Sequence, residues 1–274
     1  MSTVAAAPAL GSFSDVDTHQ DAASLLAALD EQTSIPAIQR LRAAATELLG
    51  ARLGHQLVDV GCGTGDLARA LGGRVGPSGT VLGVDASETM LTEARRRAGA
   101  TTLPVEFRRG DILHLDLDDA GCDGTVCERV FQHVASPPAA IAELVRITRP
   151  GGRIVIIDTD WGLHAIHGAD PNLTATIANC WAENAANGLV GRQLPALFAD
   201  AGLRDPIVRA ETITSTDPMR PARPPFTTMA AVAARAGAVS AKQADSWLGQ
   251  LVDAARRGHF FWALTMFAVA STRP

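Results

Sequence analysis

Residues 57–67 read LVDVGCGTGDL, and this stretch decides how the rest of the chain is interpreted. It begins in a short apolar run and passes directly into three glycines, Gly61, Gly63 and Gly65, after which a helical pattern starts. Glycine at such a turn lets the backbone adopt positive φ and lets a ligand approach the main chain closely. The stretch therefore predicts a strand, a ligand-binding turn and a helix in immediate succession.

Short apolar runs and helical stretches alternate through the middle of the chain. The runs of strand character are 56–60, 80–84, 105–108, 125–127 and 153–158. Ser87 and Ser136 are placed to cap two of the intervening helices, and Pro137 suits the first turn of the second one. Strands that alternate with helices are typical of βαβ crossovers and of a parallel α/β sheet covered on both faces.

The chain is expected to form one domain, 15–274, because 274 residues suit one full α/β domain and no internal repeat is visible. Its expected parts are a disordered tail (1–14), a helical cap in two pieces (15–50), a cofactor-binding half (51–160) and a substrate roof with the last strands (161–274). In the cap, Ser34 is expected to start the second helix, with Pro36 in its first turn. The expected later elements are a helix (192–201), a strand (203–214), an exposed proline-rich loop or lid (215–226), a helix (241–257) and a strand (260–270).

Acidic residues lie at the ends of the two strands that follow the glycines. Asp85 ends the second strand, 20 residues after Gly65, where a carboxylate in a doubly wound sheet accepts hydrogen bonds from both ribose hydroxyls. Asp111 ends the third strand and would accept from an adenine amine, while Ile112 contacts the ring and Met90 covers its other face. Each aspartate alone is also consistent with a helix or turn cap. Together with the glycine turn, they predict an adenosine site.

The glycine spacing narrows the kind of adenosine compound. The turn reads GxGxG rather than the GxGxxG of dinucleotide-binding enzymes, and a P-loop lysine is absent. Residues 58–65, VDVGCGTG, resemble motif I of the class I S-adenosylmethionine-dependent methyltransferases. The later blocks of that family are matched in order by 83–87, 110–112, 127–134 and 149–152. The third of these, CERVFQHV, is similar to the small-molecule branch (UbiE-like, methyltransferase type 11).

The resemblance, which extends over about residues 35–214, implies a fold and a cofactor. The fold would be a Rossmann-like, doubly wound, seven-stranded α/β sheet, mostly parallel with the last strand antiparallel, under an N-terminal helical lid. The cofactor would be S-adenosylmethionine, and the product S-adenosylhomocysteine. The backbone of the glycine turn would contact the methionine moiety. Glu128 and Arg129, after the fourth strand, would border the sulfonium. The implied cofactor-binding residues are Gly61, Cys62, Gly63, Asp85, Ala86, Met90, Asp111, Ile112, Glu128 and Arg129.

His133 is the candidate general base, because its block follows the fourth strand and would face the methyl group. An unperturbed histidine, with a pKa of about 6.5, suits that task at neutral pH. His133 is equally consistent with a surface or capping histidine. His164 and His167 are expected to share a helical face and to line the roof with Asp160 and Trp161, or to lie in solvent. A metal site there lacks a third ligand, so no metal is predicted.

Composition limits the partners and the compartment. The formal net charge of −5 provides no broad basic field for nucleic acid or an anionic membrane, and neither partner is expected. The single lysine, Lys242, excludes the Lys/Asp/Lys/Glu tetrad of ribose methylation, and 128–131 does not match the tetrad of amino-methylating DNA enzymes. The longest apolar run is too short to cross a bilayer, and no lysine or other arginine precedes Arg40, unlike secretory or transit signals. Four cysteines without a CxxC pair are typical of free thiols in the cytoplasm.

The sequence therefore predicts an S-adenosylmethionine-dependent methyltransferase that acts on a small-molecule acceptor, a secondary metabolite of a bacterial cell. Whether the acceptor atom is oxygen, nitrogen or carbon stays open at this point, as does the oligomeric state. Two alternatives also stay open. One is a protein that binds the cofactor without methyl transfer and catalyses a rearrangement or cyclisation, and the other is an NAD-type oxidoreductase.

Overall fold

The structure is a computed structural model that describes residues 16–18, 22–218 and 226–274. The tail predicted over 1–14 lies outside the described residues, as do residues 219–225 of the predicted proline-rich loop. Between residues 56 and 159, strands and helices alternate as the sequence pattern predicts.

Eight strands form one sheet in the described part of the chain. They are β1 (Gln56–Val60), β2 (Thr80–Asp85), β3 (Val105–Arg109), β4 (Cys122–Glu128), β5 (Thr148–Thr159), β6 (Ala165–His167), β7 (Arg204–Ser215) and β8 (Phe261–Thr272). Strands β1 to β5 are parallel, in the order β3-β2-β1-β4-β5. β8 runs antiparallel beside β5, and β7 pairs with the other edge of β8. The prediction of a doubly wound, mostly parallel sheet that ends in an antiparallel strand is confirmed.

The predicted number of seven strands is wrong by one, because the sequence pattern does not predict β6. Its three residues pair with Phe261–Ala263, on the edge of β8 that β5 occupies farther along. A strand of three residues is too short to show an alternating pattern. The helical face predicted for His164 and His167 is also wrong, since His164 follows a short 3-10 helix, Trp161–Leu163, and His167 lies in β6.

Helices cover both faces of the sheet and close its open end. They are α1 (Ala22–Thr33), α2 (Pro36–Leu49), α3 (Asp66–Val75), α4 (Glu88–Ala98), α5 (Pro137–Ile147), α6 (Pro171–Glu183), α7 (Val190–Asp200), α8 (Phe226–Arg235) and α9 (Ala241–Arg256). The sequence pattern indicates only mixed helical character at α6 and does not predict α8. A further 3-10 helix spans Val16–Thr18.

The residues at the N-termini of α2, α4 and α5 can be compared with the predicted serine caps. Ser87 caps α4 through its side chain, as predicted. Ser136 occupies the N-cap position of α5, but its side chain makes no capping hydrogen bond. The prediction that Ser34 caps α2 is wrong, because the N-cap residue is Ile35. The Ser34 hydroxyl instead donates to the Glu31 carbonyl at 2.6 Å, at the end of α1.

The sheet separates two apolar layers. Along β5, Ile154 and Ile156 belong to one layer and Val155 and Ile157 to the other, because successive side chains of a strand point to opposite faces. The first layer includes α5 and α7, and the second includes α2, α3, α6, α8 and α9. The strand order reverses between β1 and β4, which places a crevice at the carboxyl ends of these strands.

A helix that crosses a bilayer must be both long and predominantly apolar. Among the residues that the structure describes, no helix meets both requirements.

Candidate active site

The turn after β1 holds three glycines at positive φ: +73° at Gly61, +52° at Gly63 and +74° at Gly65. The N–H groups of Gly61 and Cys62 both donate to the Val84 carbonyl, at 2.7 and 3.0 Å, and so fix the turn against β2. A Cβ at Gly61 would lie 2.1 Å from Val130 Cγ2, whereas a Cβ at Gly63 would meet no atom within 4 Å. Packing therefore requires glycine at position 61, while Gly63 leaves its backbone open to the cavity that it lines.

Asp85 joins the glycine turn to the start of α4. Its Oδ2 accepts from the Gly63 N–H at 2.8 Å, and its Oδ1 accepts from the Ser87 N–H at 2.9 Å. Burial raises the pKa of Asp85, and these two N–H donors oppose the shift because they stabilise the anion. These contacts show the turn-capping role of Asp85 and are compatible with a role in ligand binding. Each carboxylate oxygen has a second acceptor position for a ligand hydroxyl.

The predicted adenine contacts come from two segments. Asp111 is exposed, and its Oδ1 accepts from the Leu113 N–H at 2.9 Å, which is a turn cap. Ile112 and Met90 are buried, while Ala86 is exposed. The loops after β2 and β3 thus bring the predicted adenine contacts to the cavity that Asp85 lines.

The N-terminal residues bind the start of α4. Asp17 accepts from Ser87 Oγ at 2.6 Å and from the N–H groups of Glu88 and Thr89 at 3.0 Å. The Ser87 hydroxyl and these N–H groups lower the pKa of Asp17 well below its usual range. The adjacent Val16 is buried and lines the cavity. Sequence reasoning misses Asp17, because its partners lie at least 70 residues away.

Glu128, at the end of β4, lies between two arginines. Its Oε2 accepts from Arg42 Nε at 2.6 Å, and its Oε1 accepts from Arg129 Nε at 3.1 Å. Arg129 also donates to Gln32 Oε1. Burial by itself raises the pKa of Glu128, but the charges of Arg129 and Arg42 outweigh burial and hold the pKa below its ordinary value. The network fixes α1 and α2 to the end of β4.

Asp59 is a buried carboxyl group that sequence reasoning misses. It lies in β1, it is 1% exposed, and its Oδ2 has no hydrogen-bond partner among the described residues. Burial, and after it the charge of Glu128, raises the pKa of Asp59 to about 8. The available signal was an acidic residue inside an otherwise apolar strand. Asp59 also lines the cavity.

His133 lies on the cavity wall, between β4 and α5. Burial, and after it the charge of Arg129, lowers the pKa of His133 to about 4. The expected unperturbed pKa is therefore wrong, and the imidazole is neutral at physiological pH. A neutral imidazole accepts a proton, although it is a weaker base than a free histidine.

Aromatic side chains line another part of the cavity. Trp161 Nε1 donates to Gln132 Oε1 at 2.6 Å, and the Trp161 ring meets Trp181 edge-on at 5.8 Å between centroids. Phe226 and Trp262 lie 6.5 Å apart at an interplanar angle of 90°. Sequence reasoning places Trp161 here but misses the other residues, which lie far apart in the chain.

His164, His167 and Asp160 do not line the cavity. His164 supports the aromatic side chains, because its Nδ1 accepts from Trp262 Nε1 at 3.2 Å and its ring stacks on Trp161. Burial lowers the pKa of His164 to about 4. His167 is exposed on β6, and Asp160 is buried in an ion pair. Over the described ranges, no three His, Cys, Asp or Glu side chains are grouped to hold a metal ion.

The ten residues predicted to bind the cofactor and the candidate base His133 all line one cavity of about 1090 Å³. A pocket for a drug-sized ligand typically has a volume of about 300–1,000 Å³, so this cavity exceeds the needs of one such ligand. The predicted residues on its wall are Gly61, Cys62, Gly63, Asp85, Ala86, Met90, Asp111, Ile112, Glu128, Arg129 and His133.

Residues 58–156, which run from β1 into β5, match the methyltransferase domain family. These residues form a class I S-adenosylmethionine-dependent methyltransferase domain. The predicted family is confirmed for this domain, and its cofactor is S-adenosylmethionine.

Three proteins show how far the similarity of this methyltransferase extends. An uncharacterized 37.1 kDa protein in transposon Tn4556 of Streptomyces fradiae is 34% identical over 250 residues, which cover 89% of this chain and 70% of that protein. The demethylmenaquinone methyltransferase of Symbiobacterium thermophilum is 37% identical over 109 residues, 39% of this chain and less than half (43%) of that enzyme. Phosphoethanolamine N-methyltransferase 2 of Haemonchus contortus, in complex with S-adenosyl-L-methionine, shares the fold with a TM-score of 0.60 at 16% identity, covering 96% of this chain and 60% of that one.

The cavity of this methyltransferase fits its cofactor. The backbone at Gly63 is open to a ligand, and Asp85 offers acceptor positions for vicinal hydroxyls. The buried Asp59 Oδ2 has no hydrogen-bond partner among the described residues and lines the cavity, so it is available to a donor group of the ligand.

Proposed function

We propose that the chain transfers a methyl group from S-adenosylmethionine to a small-molecule acceptor, a secondary metabolite of carbocyclic or polyketide-like character. One observation carries the proposal. A single cavity reaches from the glycine turn after β1 to the aromatic side chains of α6, α8 and β8. Its volume of about 1090 Å³ leaves room for an acceptor beside the cofactor.

In this proposal the cofactor lies along the ends of β1 to β4. The backbone of 61–63 holds the methionine moiety, and Asp85 accepts from the ribose hydroxyls. Ala86, Met90, Asp111 and Ile112 enclose the adenine, and Glu128 and Arg129 border the sulfonium. These assignments are supported by the common cavity and by the hydrogen bonds that fix Asp85.

The sulfonium supplies an activated methyl group and a good leaving group. The tasks that remain for the protein are to align the acceptor atom and to exclude water. His133 accepts the proton of any acceptor that must lose one, since burial and the charge of Arg129 lower the pKa of His133 and keep its imidazole neutral at physiological pH. The apolar side chains of the roof exclude water from the site of transfer.

The test is incubation with methyl-labelled S-adenosylmethionine and separate panels of uncharged polycyclic metabolites, anionic metabolites, nucleic acid and protein. The proposal predicts label in a small molecule and loss of that label with Asp85→Ala. Label found only in nucleic acid or protein would contradict it. An unlabelled, rearranged product formed only with bound cofactor would replace transfer by the non-methylating alternative.

The proposal includes the bacterial cytoplasm as the compartment and no nucleic-acid or membrane partner. All four cysteines are free, and burial raises the pKa of each thiol, most strongly for Cys62 and Cys127. Buried protonated thiols are compatible with a reducing environment.

A further inference from the structure

The part of the cavity formed by α6, α8, α9, β7 and β8 is named here the acceptor chamber. Its wall includes Trp181, Phe226, Leu251, Val252, Trp262 and Met266. Among the described lining residues that these five elements contribute, none carries a charge. The charged lining residues belong to α1, α2, the first residue of α3, and the ends or following loops of β1 to β4.

Two of the three indole N–H donors named here around the acceptor chamber are already hydrogen-bonded to other side chains. Trp262 Nε1 donates to His164 Nδ1 at 3.2 Å, and Trp161 Nε1 donates to Gln132 Oε1 at 2.6 Å. Trp181 Nε1 is buried and has no hydrogen-bond partner among the described residues. The rings of Trp161 and Trp262 therefore present carbon surface to the chamber, which suits an aromatic ring in edge-to-face or stacked contact.

The arginines of the cavity wall are already paired. Over the described residues, the lining arginines are Arg42 and Arg129, and both bind the Glu128 carboxylate. A phosphate or carboxylate in the acceptor chamber would find no unpaired arginine among the described lining residues. Burying an anion without a partner is strongly unfavourable.

We propose that the acceptor chamber selects an uncharged aromatic or fused-ring acceptor and rejects anionic analogues of the same shape. The inference rests on the proposed function only in naming the bound molecule as the methyl acceptor. The selection itself is a property of binding, which is measured without turnover.

The test compares two ligands that share a ring system, 1-naphthol and 1-naphthyl phosphate. Isothermal titration calorimetry with the full chain, saturated with S-adenosylhomocysteine, is expected to show binding of 1-naphthol and an affinity for the phosphate at least about a hundredfold lower. Equal affinities, tighter binding of the phosphate, or no binding of 1-naphthol would each overturn the inference.

An arginine introduced into the chamber tests whether the lack of an unpaired cation causes the rejection of anions. Val252 is half-buried and lines the chamber, so Val252→Arg is expected to strengthen binding of 1-naphthyl phosphate at least about tenfold. Gly249→Arg is the matched control, because position 249 lies on the same helix, is exposed and is outside the cavity wall. Leu248→Arg, also half-buried and lining, replaces Val252→Arg if that variant does not fold. An equal effect of the control, or no effect of the lining variant, would overturn the inference.

The labelling experiment separates failure of this inference from failure of the proposed function. Selective 1-naphthol binding without methyl transfer to any panel member supports the chamber inference and removes the proposed function. Methyl transfer to anionic acceptors supports the proposed function and overturns the chamber inference.

Discussion

Replacement of Gly61 by alanine is expected to lower the free energy of unfolding through two separable costs. The residue has a φ of +73°, and an alanine held in that region costs about 1–2 kcal/mol. The new Cβ would lie 2.1 Å from Val130 Cγ2, and overpacking of this kind costs about 1–3 kcal/mol. Together these contributions give a loss of about 2–5 kcal/mol.

Denaturant unfolding of a double-mutant cycle measures the two costs. Val130→Ala removes the methyl group that Gly61→Ala would strike, so the pair is expected to couple by about 1–3 kcal/mol. Gly63→Ala is the matched control, because it has positive φ but no atom within 4 Å of its Cβ. It is expected to cost only about 1–2 kcal/mol and not to couple to Val130→Ala. The reasoning is refuted if Gly61→Ala is as mild as the control or if its coupling is near zero.

The remaining predictions concern the cofactor, the base, a buried acid and the N-terminal contact. Asp85→Ala is expected to weaken S-adenosylhomocysteine binding by calorimetry, and unchanged affinity would remove Asp85 from the site. His133→Ala is expected to lower turnover more than cofactor affinity. Because its pKa is about 4, the wild-type rate should stay level between pH 6 and 8, and a fall below pH 6.5 would contradict the burial argument. In the folded protein the pKa of Asp59 is about 8, whereas its ordinary value is 3.8. Its contribution to the free energy of unfolding therefore falls as the pH rises from 3.8 to about 8. Asp59→Asn is expected to flatten that decline in thermal melts, and an unchanged slope would assign it to other groups. Asp17→Ala is expected to lower the free energy of unfolding by up to about 1 kcal/mol, seen as a lower melting temperature. An unchanged melting temperature would show that Asp17 does not bind the start of α4.

The elements that could be predicted from the sequence are those set by local patterns. The strand over 56–60, the glycine turn and the Ser87 cap each depend on neighbouring residues, and the structure places all three as expected. Strand β6 depends on tertiary pairing, so its three residues carry too weak a signal. The alanine-rich sequence of α8 does favour a helix, and the prediction overlooks it. The Ser34 cap was also predicted wrongly from local sequence. The Ser34 hydroxyl donates to the Glu31 carbonyl at the end of α1 and does not cap α2.

The residues of the candidate site likewise fall into those that local sequence patterns predict and those that only the folded structure brings together. The strand-end residues were predictable because parallel strands of a doubly wound sheet place their carboxyl ends at one crevice. The pair Arg42–Glu128 spans 86 positions, and no spacing rule connects two such residues. The low pKa of His133 arises from burial and from Arg129, which a sequence pattern does not report. The aromatic residues of the acceptor chamber likewise come together only through the packing of α6, α8 and β8.

A crystal structure of the chain with S-adenosylhomocysteine, and in it the distance from the ribose hydroxyls to the Asp85 carboxylate, tests the central claim most directly. A distance of about 3 Å is expected, with the homocysteine chain against 61–63 and the adenine beside Ile112. A ligand bound elsewhere, or an Asp85 carboxylate that faces away from the ribose, would contradict the claim.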